Sequence, residues 1–194
     1  METKAKGSRT TVSTFQELSC IAVNMVQQMR TEGIVTVLLK KDAQEKMVLK
    51  SPDGTSAAYL VGVRLPDSLK NESLQVLRDI PRAIRSELLH AYAKRGSDGL
   101  QLAMLKELDY LAVIDKDDGI TVAYRIGRHA SSGVVLKKMA ENETIRALEN
   151  EDGANVDLVL RGRLLKDAAF NKALSKEARD KADCVRKRAN CDRI

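Results

Sequence analysis

A chain of 194 residues that is 43 % apolar and 31 % charged carries enough hydrophobic material for a core, which excludes wholesale disorder. Aromatic side chains make up only 3 % and Trp is absent, so a surface that stacks bases or sugars on exposed rings is excluded as well. The formal charge of +6 is concentrated: residues 161–194 hold 11 Lys and Arg against 5 Asp and Glu, while the first 160 residues balance at 22 of each sign.

Residues 1–12 are polar and read as a disordered lead. They lack the apolar stretch and cleavage site of a signal peptide. No run approaches the ~20 apolar residues of a membrane span, so the sequence predicts a cytoplasmic protein that does not enter a membrane. A helix opens at Ser13 or Thr14, because Ser13-x-x-Gln16 and Thr14-x-x-Glu17 both have the form of a capping box. Phe15, Leu18, Ala22, Met25 and Met29 then recur at helical spacing, a stripe for a core or a partner helix, and Gly33 ends the helix.

β-rich segments come next at Ile34–Leu39, Lys46–Lys50 and Ala57–Leu65, the last two joined by the turn Ser51-Pro52-Asp53-Gly54. Helices are predicted over Glu72–Asp79, from Pro81 to Gly96 with Ile84, Leu88, Leu89 and Tyr92 inward, and over Gly99–Asp109. Tyr110–Ile114 and Ile120–Ile126 flank Asp115-Lys116-Asp117-Asp118-Gly119, a hairpin signal in which Ile120, Val122, Tyr124 and Ile126 share one face. A loop at 129–133, a helix over Val134–Asn150 and a short apolar stretch, Val156–Leu160, lead into a helix over Leu164–Ala189. No internal repeat stands out.

The fold class that results is α+β: small antiparallel β segments packed with several helices and a long basic C-terminal helix. A compact body spans 13–160, divisible at 95/96, and a basic arm spans 161–194. Helix, helix and hairpin over 81–127 have the element order of a winged helix, with Arg125 and Arg128 at the base of the wing. Its acidic tip, Asp117-Asp118, would repel phosphate. The α-β-β-β-α order over 14–95 is that of double-stranded-RNA-binding domains, but Glu72, Ser73 and Asp79 stand where that family needs cations.

Signatures of enzymes are missing. His90 falls inside a helix, and His129, near Ser131 and Ser132, has no acid partner in the sequence. No phosphate loop or dinucleotide fingerprint occurs, and no cofactor is implied. The Asp115–Gly119 loop fails as a calcium site, since Ile126 occupies the position that needs a bidentate glutamate. Cys184 and Cys191 stand about 10 Å apart on one helix, beyond the ~7 Å reach of a disulfide, so they are free thiols without a nearby histidine to activate them.

The sequence therefore predicts a non-enzymatic nucleic-acid-binding protein, regulatory or packaging, that grips phosphate through Arg161, Arg163, Lys172, Lys176, Arg179, Arg186, Lys187 and Arg188, helped by Arg125 and Arg128. The alternative is an assembly protein that forms homo-oligomers through its helices and docks an acidic partner on the basic arm. Neither reading calls for a metal.

Overall fold

Helix caps, rather than strand pairs, organise this chain. The computed structural model describes residues 11–164. Thr14 Oγ1 accepts the Glu17 N–H at 3.1 Å, and the Glu17 carboxylate accepts the Ser13 N–H at 3.0 Å, so the capping box opens α1 (Phe15–Glu32) as its sequence predicts. Leu18, Ala22, Met25 and Met29 are fully buried, which commits the stripe to the core and not to a partner; Phe15 stays exposed. Next in the chain are α2 (Ile34–Leu39), α3 (Lys41–Met47), α4 (Ala57–Arg64), α5 (Asp67–Ser73), a 3-10 turn (Leu77–Asp79), α6 (Arg82–Arg95) and α7 (Asp98–Met104). Then come α8 (Leu108–Leu111), α9 (Val122–His129), α10 (Gly133–Ala140), α11 (Glu143–Ala147) and α12 (Val156–Leu164).

The α+β expectation is overturned. Among the described residues there is no sheet, only isolated single-pair bridges. The expected strands Ile34–Leu39, Ala57–Leu65 and Ile120–Ile126 are the helices α2, α4 and α9, each rich in β-branched or aromatic residues whose strand preference tertiary packing overrides. In α9 the buried set is Val122, Ala123, Ile126 and Gly127, a helical spacing that overrules the apparent alternation of Val122, Tyr124 and Ile126. The winged-helix-like unit over 81–127 accordingly loses its wing, although α6 and α7 stand where its two helices were expected. The helix expected over Val134–Asn150 breaks at Asn142, whose side chain caps α11. The helix expected over Leu164–Ala189, with Lys172, Lys176, Arg179, Cys184, Arg186, Lys187, Arg188 and Cys191, lies outside the described residues, as do residues 1–10 of the lead.

The turns at 51–54 and 115–119 do form, as short fingers, and a third stands at 150–153. All three are closed by the same two backbone bonds. Ser51 N–H donates to Thr55 O at 2.9 Å and Ala57 N–H to Leu49 O at 2.8 Å. Asp115 N–H donates to Ile120 O at 3.0 Å and Val122 N–H to Val113 O at 2.9 Å; Asn150 N–H donates to Ala154 O at 2.9 Å and Val156 N–H to Leu148 O at 3.0 Å. Each finger carries an Asp-Gly pair, with the glycine at φ between 68° and 87°, a conformation that costs other residues dearly. Each ends on the N-cap of the next helix: Ser56 for Tyr59 N–H, Thr121 for Tyr124 N–H and Asn155 for Leu158 N–H, at 3.0–3.2 Å. The chain thus holds an internal repeat that the sequence alone did not disclose. Its caps stand 34 residues apart at Thr121 and Asn155 and 65 apart at Ser56 and Thr121, because the unit built on α6 replaces the finger with the 3-10 turn and Ile80-Pro81.

Helices α1, α4, α6, α9 and α12 pack side by side in that order, and α2, α5, α7 and α10 form a second row against them. This is the stacked helix-pair arrangement of repeat proteins. Its core runs without a break from Leu18 to Leu164. Tyr92, fully buried on α6, ties the rows together through its hydroxyl, 2.9 Å from Ser73 Oγ on α5. The tightest contact in the first row lies between α4 and α6, where a Cβ on Gly62 would come within 2.7 Å of Ala91 Cβ. Gly62→Ala should therefore lower stability by about 1–3 kcal/mol despite alanine's higher helix propensity, read as a fall in the urea midpoint at unchanged slope.

Candidate basic interface

The long helices run parallel, because both of their ends meet in rows. At the finger edge, Glu151 N–H donates to Gly119 O at 3.0 Å, and Lys50 Nζ lies 3.9 Å from Asp117 and 3.8 Å from Glu87 of α6. At the far edge the Arg163 guanidinium on α12 donates to the carbonyls of Arg128 and Ala130, the latter at 2.7 Å, where α9 ends. Every helix dipole in the row then points the same way, with the negative ends together. Many charged side chains follow this direction, although Lys50 and Lys116 stand among the finger acids and α6 opens on Arg82. Asp53, Asp117, Asp118, Glu151 and Asp152 stand at the finger tips, and Arg64, Lys94, Arg95, Arg128, His129 and Arg163 at the opposite edge.

Within the basic edge two cations have structural work. Arg163 caps α9, and Arg64 turns back to Leu60 O and to Ser19 Oγ, the latter at 2.8 Å. Lys94, Arg95 and Arg128 enter no ion pair with another described residue. Arg95 and Arg128 are exposed and Lys94 is half-buried. His129 is exposed among them. Its pKa is lowered, first by partial desolvation and then by the charges of Lys94, Arg128, Arg125 and Arg95. The nearest acids at this edge are engaged: Asp98 accepts from Ser131 Oγ at 3.2 Å, and Asp67 pairs with Lys70 at 3.0 Å and accepts the Ser97 N–H.

Of the sequence-predicted residues, Arg128 joins this edge. Arg161 is paired with Asp157 on its own helix, and Arg163 sits at the edge as a cap. Arg125 points inward. Its Nε donates to His90 Nδ1 at 3.0 Å, and its Nη2 reaches Asp115 at 3.0 Å and Asp118 at 2.6 Å. The acidic loop that resembled a calcium site is therefore the counter-charge of an arginine from the next helix. His90 is buried, and desolvation together with Arg125 pushes its pKa down to about 3. The Ser131 and Ser132 hydroxyls serve Asp98 and the α10 cap, not His129. Sequence reasoning missed Lys94, Arg95 and His129 as members of one surface, because the segment that forms α9 reads as a strand and only the packing of α6 against α9 brings them together.

A cleft between the first finger and α6, lined by Met47, Val48, Lys50, Ser56, Ala58, Ala83, Ile84 and Glu87, holds about 50 Å³. Small-molecule sites need roughly 300 Å³ or more, so this cleft does not compete with the edge. No helix among the described residues is long and apolar enough to cross a membrane. The chain matches no protein-family model, no curated protein and no solved structure.

His90 binds no proton in the folded chain until about pH 3 but does so near pH 6.5 when unfolded. The unfolded state therefore holds more protons between these values, and stability falls as pH falls through that window. Urea unfolding should show a loss of about 2 kcal/mol from this group between pH 7 and 5. In His90→Asn that part of the pH dependence should vanish, whatever constant cost the substitution adds.

Proposed function

We propose that this chain is a non-enzymatic, cytoplasmic nucleic-acid-binding scaffold, whose basic edge docks on the phosphate backbone and whose C-terminal segment extends the grip. The observation that carries this reading is the edge where Lys94, Arg95, Arg128 and His129 gather, its first three cations entering no ion pair with another described residue. By sequence alone, residues 165–194 add 9 Lys and Arg against 5 Asp and Glu. Phosphate contact by such a surface releases counterions and is read as a steep dependence on salt. It carries no base readout of its own, so a regulatory or packaging role without strict sequence preference fits it best.

Fluorescence anisotropy with short DNA and RNA duplexes and single strands, across a salt series, tests the reading on the full chain. Arg95→Glu/Arg128→Glu should weaken binding about 10- to 100-fold and flatten the logarithmic salt slope by roughly two, with helical circular dichroism unchanged. Replacing Arg186, Lys187 and Arg188 by alanine should flatten it by a similar amount. Binding that survives both variants with the slope of the parent overturns the reading.

His129 adds a pH dependence. It faces Lys94 and Arg95 from α6, Arg125 and Arg128 from its own helix, Arg163 from α12 and, through Ser131, Asp98 from α7. A phosphate beside it favours the imidazolium that these cations oppose, so affinity should rise several-fold from about pH 7.5 to about pH 5.5. His129→Asn should abolish that rise.

A further inference from the structure

The described residues hold 21 Lys and Arg and 21 Asp and Glu, so the whole +6 of the chain comes from residues outside 11–164. The body is neutral overall: Asp117 and Glu151 stand at the finger tips, with Lys50 and Lys116 beside Asp117, while the exposed Arg95 and Arg128 stand on the opposite edge. Each of α4, α9 and α12 starts at one edge and ends at the other. Because α6 brings no finger, one helix spacing separates only the second and third tips, about 8–10 Å for packed helices, and the same spacing separates the ends of α6 and α9. These two stretches of edge are commensurate. Asp117 and Glu151 are exposed on adjacent fingers, as Arg95 and Arg128 are on adjacent helix ends. A surface with this charge and repeat distance is matched by the finger edge of another copy.

We propose that a second copy of this chain docks its finger edge on the basic edge, through Asp117 and Glu151 of one copy and Arg95 and Arg128 of the other. The contact is heterologous, since different surfaces meet, so each copy keeps one free edge of either sign and association is open-ended. It does not rest on the nucleic-acid reading, but it uses the same basic edge, so phosphate and a second copy compete for Arg95 and Arg128.

Sedimentation velocity on the full chain tests this at about 20 mM and about 300 mM salt, where screening lengths differ several-fold. The expected result is concentration-dependent association at low salt and a monomer at high salt. Arg95→Glu/Arg128→Glu and Asp117→Lys/Glu151→Lys should each weaken association at least tenfold. Mixing the two variants should restore it, because one then carries two acidic edges and the other two basic ones. A monomer at low salt, association that persists in both variants, or a mixture that fails to associate overturns the proposal. Nucleic-acid anisotropy on the same proteins separates the two readings. Asp117→Lys/Glu151→Lys should bind at least as tightly as the parent, so lost self-association with binding intact sinks only this inference.

Discussion

The reversal of the chain in six or seven residues, ending on the cap of the next helix of the first row, is the constraint from which the charge distribution arises. An Asp-Gly turn closed by two backbone bonds brings the chain back to the same edge each time, and Ser56, Thr121 or Asn155 then starts the helix there. Each cap contributes only about 1 kcal/mol, and a lone hairpin of this size is not stable in water. The fingers persist because the helices they launch bury a common core. In return they impose direction. In an up-and-down bundle helix ends alternate, so cations that complement a C-terminal dipole interleave with acids that complement an N-terminal one. Here the helices of the first row all start on one side, so finger acids gather at one edge and last-turn cations at the other, although α4, α6 and α9 carry no acid in their first turns.

The unit built on α6 lacks a finger, and polar contacts hold it in line instead. Lys50 of the first finger reaches across to Glu87 on α6 and Asp117 on the second finger. Deeper in, Arg125 links His90 of α6 to Asp115 and Asp118 of the second finger. A guanidinium this buried is tolerable only when paired, and its removal would strand two carboxylates against a histidine that cannot take up a proton near neutrality. The same network explains why an acidic loop sits beside a helix without repelling it. Asp115 and Asp118, which looked like metal ligands, are spent on holding a repeat in register.

Much of the local structure was legible in the sequence. The capping box at Thr14, the stop at Gly33, the start of α6 after Pro81 and the Asp-Gly turns are set by residues adjacent in the chain, and each formed where expected. The segments after the turns are where sequence and structure part. Ser56 and Thr121 are caps, but each precedes an eight-residue helix, too short for helical spacing to outweigh Val, Ile and Tyr, and a turn flanked by such residues reads as a hairpin. The repeat escaped because its period is broken at α6, where Pro81 stands in place of finger and cap. The basic edge escaped for a different reason. Arg128 could be suspected from its neighbourhood, but Lys94 and Arg95 join it only through the side-by-side packing of α6 and α9, about 35 residues apart in the chain, which no local pattern encodes.

An edge differs from a pocket in what it can hold. A cleft of about 50 Å³ selects by shape, and only for something the size of a water or a methyl group. A row of helix ends selects by charge and interval, and its reach grows with the number of repeats. On the nucleic-acid reading the row of cations faces the phosphates as a charged strip, without a fixed register. On the self-association reading the same interval is matched by the finger tips of another copy. Both partners offer the edge a row of anionic groups, and a polymer with more charge per length displaces a copy from it as salt falls. If both proposals hold, the denser polyanion is the stronger competitor for the cationic edge and the finger edge of another copy the weaker one.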